Sequence, residues 1–401
     1  MNVPDTKDKT TVLMGVTASI AAYKTPQLVR DLKCAGMDVQ VIVTDGAKNF
    51  VTPMTLEVVS ENQVLGDMFE TPMAHINVVK EASCLLVAPS TLNTISKFAG
   101  GIADNLLTTV FMSCDVPVLI APAMNWRMYT NPIFKDKVDY LKAKGIVFIE
   151  SESGHLACGE EGVGRMAELD VIVAQVKRAA ITQDMKGLRV VVTSGPTREY
   201  IDDVRFITNR SSGKMGMALA MAAYSRGAQV TLISGPTNQK LPSFMDVVSV
   251  ERARDMESAV YDKVRGANIL VMAAAVGDYA PVESVSGKIK RLDTLELHLQ
   301  KTNDIVANVS KVLGHLNIFK VGFSLESGNN INRAKEKLVR KGLDMIVFND
   351  LTVEGAGFET DTNVVTIITN NYEYALPRLS KEDVAYEIYN KVLQTEGFMN
   401  N

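Results

Sequence analysis

Short continuous apolar runs punctuate the chain at the spacing of alternating strands and helices. Thr11 to Val16 reads as a buried strand, followed by the small-residue turn Gly15-Val-Thr-Ala-Ser19, a helical stretch ending near Gly36 and a second strand from Val39 to Val43. Cys84 to Ala88 and Val116 to Ile120 are further apolar runs, and each leads into Ala-Pro. Strands of this kind are covered on both faces, as in a parallel sheet between helices. The same grammar returns with a strand from Leu188 to Thr193, a glycine-rich turn region, a helix from Lys214 to Arg226 and a strand from Gln229 to Ile233. Ile269 to Ala273 and Met345 to Phe348 follow, separated by helical patterns, and Val364 to Ile368 reads as a late strand. The pattern predicts an α/β protein of two doubly wound, Rossmann-like domains.

The boundary falls between a helix ending near Ala180 and the fresh strand beyond the polar stretch Thr182 to Gly187. That gives domains 1–189 and 190–401. A length of 401 residues points the same way, because it exceeds the usual span of one hydrophobic core.

Composition narrows the class. Hydrophobic residues make up 46% and charged residues 22%, which suits a folded globular chain rather than a disordered one. A net charge of -4 argues against a broad polyanion-binding surface, so nucleic acid is not expected as a partner. The first apolar run is too short for a membrane span or secretory signal, so the expectation is a cytoplasmic protein with no membrane partner. Cys34, Cys84, Cys114 and Cys158 are far apart and form no C-x-x-C pair. Each is expected as a buried thiol rather than part of a zinc site or disulfide framework.

Ligands of open α/β sheets collect beyond the carboxyl ends of strands, where helix N-termini favour phosphate. Three predicted strand ends carry hydroxyls: Thr17 and Ser19 beside Gly15, then Thr44, then Ser90, Thr91 and Thr94 with Asn93 among them. Any one of these is more commonly a helix cap; three ends together suggest a phosphate site. Gly15-Val-Thr-Ala-Ser-Ile lacks the second glycine of a dinucleotide fingerprint, so a monophosphate such as FMN suits the turn better than NAD.

Gly15-Val-Thr-Ala-Ser-Ile-Ala-Ala-Tyr-Lys24, His75-Ile76, Pro122-Ala-Met-Asn-Trp-Arg-Met128 and the glycine-rich stretch Gly154 to Met166 occur in family order, and with them the first domain resembles the flavin-dependent phosphopantothenoylcysteine decarboxylases. The resemblance implies a flavodoxin-like flavoprotein domain in which FMN oxidises the substrate thiol to a thioaldehyde and CO2 then leaves. It implies His75 as an active-site base or electrostatic partner, Asn125 as donor to the substrate carboxylate and Cys158 as the acid that protonates the enethiolate. An isolated Asn is otherwise a turn residue and an isolated Cys a buried one. A thiol that is mostly protonated at neutral pH suits the donor role.

The second domain carries Val191-Val-Thr-Ser-Gly-Pro-Thr-Arg-Glu199 and Val204-Arg-Phe-Ile-Thr-Asn-Arg-Ser-Ser-Gly-Lys-Met-Gly216. This is not a Walker loop, because Met215 follows Gly213-Lys214 where a magnesium-binding hydroxyl is required. With Met272-Ala-Ala-Ala-Val-Gly-Asp-Tyr-Ala-Pro281 and Lys288-Ile-Lys290, the domain resembles the phosphopantothenate–cysteine ligases, and the whole chain resembles the bacterial bifunctional enzyme. The resemblance implies attack of the 4′-phosphopantothenate carboxylate on CTP, an acyl-cytidylate, and its capture by the L-cysteine amine. Asn209 and Lys288 would act in these steps. Ala274, Asp278, Asn303, Asp304, Ile305, Val306, Phe323, Lys337 and Lys341 match the nucleotide site, with Mg2+ held mainly by phosphates. Charge runs on helices are usually solvated faces, so Lys337 and Lys341 rest on the resemblance.

Departures from the family cluster around that site: Gly277 and Phe348 where Ala is usual, Asn303 for Pro, and Ser324-Leu-Glu-Ser327 for Ala-Ala-Glu-Thr. In the first domain Ser90-Thr-Leu replaces Ala-Ser-Ala. The resemblance also implies a homo-oligomer of trimeric decarboxylase and dimeric ligase contacts, up to a dodecamer, with flavin sites between subunits. Two other readings are a nicotinamide-dependent oxidoreductase, disfavoured by the incomplete glycine fingerprints, and a regulatory flavoprotein, disfavoured by His75, Asn125 and Cys158 standing together.

Overall fold

The computed structural model describes residues 10–69, 72–155, 159–290, 294–312, 316–326, 328, 330–350, 352 and 360–395. The chain forms two compact units, Met1–Thr182 and Gln183–Asn401.

In the first unit, β1 (Thr11–Val16), β2 (Asp38–Val43), β3 (Cys84–Ser90), β4 (Val118–Pro122) and β5 (Val147–Phe148) form one sheet in the order β2-β1-β3-β4-β5. Every pairing is parallel. This is the flavodoxin-like 2-1-3-4-5 order, in which the strand order reverses between β1 and β3. β3 is buried along all seven of its residues, which explains its unbroken apolar run. Helices cover both faces: Val12, Met14 and Leu86 pack with Leu28, Leu32 and Ile172 on one side, and Leu13, Leu85 and Val87 with Ile95, Phe98 and Leu107 on the other. An antiparallel hairpin, Glu152–His155 with Glu161–Arg165, follows the sheet.

The second unit holds an eight-stranded sheet. Its order is Asp246–Ser249, Gln229–Ser234, Arg189–Ser194, Ile269–Met272, Phe319–Glu326, Met345–Asp350, Val365–Ile368 and Glu373–Ala375. The first six strands pair in parallel and the last two add antiparallel. The strand that opens the unit therefore lies inside the sheet, flanked by strands that come later in the chain. Within this unit Tyr279–Pro281 pairs antiparallel with Leu299–Lys301.

Two of the described cysteines depart from the expectation of burial. Cys34 is exposed, whereas Cys84 is buried and Cys114 is intermediate. The helix Thr25–Cys34 buries Thr25, Leu28, Val29 and Leu32, a stripe that leaves its final residue on the outer face. Cys158 lies outside the described residues.

Candidate active sites

A cavity of about 550 Å3 opens beyond the carboxyl ends of β1, β3 and β4. Its wall combines Ser19, Ile20, Tyr23 and Lys24 after β1, Thr91, Leu92 and Asn93 after β3, Met124, Asn125 and Met128 after β4, and Gly164 and Arg165 of the hairpin. The volume falls within the span of roughly 300–1,000 Å3 typical of small-molecule sites.

The hydroxyls at the strand tips divide into those that shape the cavity and those that face it. Thr17 is buried; its Oγ1 donates to the Pro89 carbonyl at 2.8 Å and accepts from the Thr91 N–H at 3.0 Å. It thereby ties the turn after β1 to the turn after β3. Thr44 Oγ1 donates to the Val16 carbonyl at 3.1 Å, and Thr44 is not part of the cavity wall. Thr91 caps the helix Leu92–Gly100 by accepting from the Thr94 N–H at 3.3 Å, and Thr94 Oγ1 lies 3.2 Å from Thr91 Oγ1. Asn93 is exposed at the start of that helix. Because the first N–H groups of a helix have no partner within it, this end presents donors where Thr91, Leu92 and Asn93 line the cavity. Ser19 also lines the cavity, its Oγ accepting weakly from the Ala21 N–H at 3.4 Å. Gly15 is a packing position: a Cβ there would meet Leu107 Cδ1 at 2.5 Å. Ser90 is fully buried outside the cavity wall, and its Oγ has no hydrogen-bond partner.

Asn125 caps the short helix Trp126–Tyr129, its Oδ1 accepting from the Arg127 N–H at 2.9 Å. Its Nδ2 points to Glu160 Oε2 at 3.5 Å, and that carboxylate also accepts from Trp126 Nε1 at 2.8 Å and Arg127 Nη2 at 2.8 Å. The hairpin is fixed to the same loop through its backbone. Met124 N–H donates to the Gly164 carbonyl at 2.9 Å, and a Cβ on Gly164, at φ +127°, would meet the Met124 carbonyl oxygen at 2.4 Å. Only glycine allows that approach. His75 lies in the helix Ala74–Lys80, its carbonyl accepting from Ser113 Oγ at 3.2 Å, and is not in the cavity wall of its own chain.

In the second unit, two groups of expected residues gather. Asn209 Nδ2 donates to the carbonyls of Ala275 at 3.1 Å and Val276 at 3.2 Å, and Thr193 Oγ1 accepts from the Ala274 N–H at 3.1 Å, so all three meet beyond the strand Ile269–Met272. Gly277 N–H donates to Thr197 Oγ1 at 2.9 Å in the same loop cluster. The second group is charged. Lys341 pairs with Asp304 at 2.9 Å, and Lys337 Nζ donates to the Phe323 carbonyl at 3.2 Å. Burial pushes the Lys337 ammonium below its ordinary range, and neighbouring Lys341 pushes the same way, while Glu326, Asp278 and Asp304 oppose them. Asp304 titrates below the usual carboxylate range: burial opposes this, but the Lys341 hydrogen bond and charge prevail, aided by the Ala307 N–H. Ile305 and Val306 are buried in the helix that Asp304 precedes and serve its packing.

Lys288 lies on an exposed segment with Lys290. Asn303 is drawn elsewhere: its Nδ2 donates to Glu257 Oε2 at 2.8 Å. It lines a second cavity, of about 440 Å3, with Glu199, Arg252, Arg254 and Lys301, and is the one expected nucleotide residue to do so. Among the described residues no cluster of three His, Cys, Asp or Glu side chains could hold a metal ion. No helix among them is long and apolar enough to cross a membrane.

Sequence reasoning missed Glu160 and Asp202, whose roles depend on contacts made across 34 and 87 residues of chain. No local motif signals such contacts.

A flavodoxin-order sheet with a helix-capped cavity at its switch point is the architecture of a flavin-binding protein, and residues 1–180 match the family described as Flavoprotein. Residues 185–395 match the DNA/pantothenate metabolism flavoprotein C-terminal domain. The coenzyme A biosynthesis bifunctional protein CoaBC of Vibrio cholerae is 40% identical over 381 residues, covering 93% of this chain and 95% of the relative. That of Bacillus subtilis is 40% identical over 391 residues, covering 95% and 96%. A crystal structure of the C-terminal domain of a CoaBC protein is 36% identical with a TM-score of 0.45, covering 52% of this chain and 95% of that one. The chain belongs to the family of bifunctional coenzyme A biosynthesis proteins.

Proposed function

We propose that the second unit joins 4′-phosphopantothenate to L-cysteine with CTP through an acyl-cytidylate, and that the first unit decarboxylates the product to 4′-phosphopantetheine with FMN. The single observation that carries the reading is the pairing of two sites on one chain. A capped helix end lines an apolar cavity in one unit, and two lysines, Lys337 and Lys341, stand among Asp278, Asp304 and Glu326 in the other. Membership of the family leaves the oxidoreductase and purely regulatory readings without support.

The first cavity fits FMN by its donor chemistry. Thr91, Asn93 and the start of the helix Leu92–Gly100 would hold the phosphate with Ser19, while Ile20, Leu92, Met124 and Met128 would flank the ring system. When bound, FMN supplies the two-electron oxidation of the substrate thiol and its later reversal. Asn125 would orient the substrate carboxylate by donating from Nδ2; the bond to the carboxyl carbon then breaks, CO2 departs, and the bonding pair stays on the substrate carbon, delocalised onto sulfur. Cys158 gives a proton to the resulting carbon. His75 acts at the cavity of a neighbouring copy, in keeping with a trimeric arrangement of first units; dimeric contacts of second units extend this to a dodecamer.

In the second unit, Lys337 and Lys341 offset charge that builds on the phosphates, with Lys288 supplying a further cation. An arriving triphosphate would relieve the repulsion between Lys337 and Lys341. Asn209 holds the loop of Ala275 and Val276 against the reacting carbonyl. Mg2+ travels with the nucleotide, and the enzyme works in the cytosol.

Supplying 4′-phosphopantothenate, cysteine, magnesium and either CTP or ATP, with pyrophosphate and CO2 followed separately, tests the scheme. CTP-dependent pyrophosphate release followed by CO2 is expected. CO2 output unaltered in His75→Asn would remove His75 from the mechanism, and an unaltered yield of reduced 4′-phosphopantetheine in Cys158→Ser would remove Cys158, which acts after CO2 has left.

A further inference from the structure

Lys288 sits on an exposed segment whose backbone is held on both sides by residues 201–205, with buried Asp202 on the Ile289 side. Asp202 is 0% exposed. Its Oδ1 accepts from the N–H groups of Val204 at 2.8 Å and Arg205 at 2.7 Å. Its Oδ2 accepts from the Ile289 N–H at 3.1 Å and lies 3.2 Å from Arg205 Nε. Arg205 Nη2 donates onward to the Ile289 carbonyl at 2.6 Å. On the other side of Lys288, the Gly287 N–H donates to Asp203 Oδ2 at 2.7 Å, and the Val285 N–H donates to the Ile201 carbonyl at 3.0 Å. Residues 201–205 thus grip residues 285–289 through four bonds that straddle Lys288.

Burial alone would raise the Asp202 carboxyl, but the N–H groups of Val204, Arg205 and Ile289 and the Arg205 charge hold it below the usual carboxylate range. A carboxylate kept ionised in the interior and spent wholly on backbone donors and one guanidinium is a structural anchor with a defined load. Fixing a lysine's backbone restricts where its long side chain reaches. A cation that must meet a transferring phosphate gains from being held in place beforehand.

We propose that Asp202 is a positioning residue for ligation: it fixes the segment 285–289 so that Lys288 is presented to the nucleotide phosphates. The proposal rests on the ligase reading above and adds to it a residue that touches no substrate. It distinguishes Asp202 from a residue that only stabilises the fold, because its effect must pass through Lys288.

The test is a double-mutant cycle in the full chain, read as pyrophosphate release from CTP and 4′-phosphopantothenate, with CO2 release from preformed phosphopantothenoylcysteine as internal control. Asp202→Asn should lower pyrophosphate kcat/KM by about tenfold alone but by less than about twofold in a Lys288→Ala background, with CO2 release unchanged. An equal loss in both backgrounds would overturn the proposal, since a general loosening of the unit adds independently of Lys288. If wild type releases no pyrophosphate, the ligase reading itself fails, a distinct result. Should Asp202→Asn not fold, deuterium uptake by wild type decides: slow exchange at Gly287 and Ile289 supports the anchor, and exchange there as fast as an unbonded loop refutes it.

Discussion

Three residues show how the chemistry of a single side chain is set by what surrounds it. Burial, with a smaller contribution from Cys114, pushes the Cys84 thiol up to about 12, so it stays protonated at any working pH. Peptide-resolved alkylation at pH 8 should label exposed Cys34 and spare Cys84 in the folded protein; comparable labelling of both would place Cys84 outside the core. Ser90 Oγ is buried without a partner, a situation that costs about 1–3 kcal/mol. Ser90→Ala should therefore raise the melting temperature with flavin content unchanged, whereas a fall in both would put that hydroxyl in the flavin site. Gly164 brings the hairpin against Met124 at a positive φ, and Gly164→Ala combines strain with overlap. A loss of about 1–3 kcal/mol in stability and weakened flavin retention are expected, seen as a lower melting temperature and a lower ratio of visible to ultraviolet absorbance. Asn125, Thr91 and Ser19 were legible from the sequence because each stands at a strand end in a local motif. The Glu160 carboxylate was not, since its partners Trp126 and Arg127 are reached only when the hairpin folds back.

At the scale of elements, continuous apolar runs were reliable guides because parallel strands are buried on both faces. Thr11–Val16 and Gln229–Ser234 begin where the pattern places them, and Cys84–Ser90 extends two residues beyond its apolar run. What periodicity does not carry is strand order. Nothing in Arg189–Ser194 indicates that it lies between two strands that follow it, and nothing in Val365–Ile368 indicates that it pairs antiparallel. Helix ends are joined by charge in the second unit, where Asp304 before Ile305–Val312 meets Lys341 of Ile331–Lys341. Because the folded Asp304 titrates below its unfolded range, the stability it adds is fully present above the usual carboxylate pKa of about 3.9 and fades as pH falls through the lower folded value. Asp304→Asn should thus be less stable than wild type near neutrality and converge with it in strong acid. Unfolding by urea across that range checks the sign, and a difference that grows toward acid would contradict it.

For the whole molecule, the proposed scheme divides two consecutive steps between two sheets, with flavin at the strand tips of one and Lys337 and Lys341 meeting phosphates beside the other. The two activities should separate by mutation: His75→Asn abolishes CO2 release and spares amide formation, and Lys288→Ala does the reverse when each half-reaction is supplied with its own substrate. Linked loss in both variants would argue against independent sites. The claim on which the first site depends is that the cavity beyond β1, β3 and β4 holds FMN. The visible spectrum of the purified full-length protein tests this most directly: a yellow protein with flavin bands that survive desalting is the expected result, and a colourless protein that stays colourless after incubation with excess FMN would contradict the account.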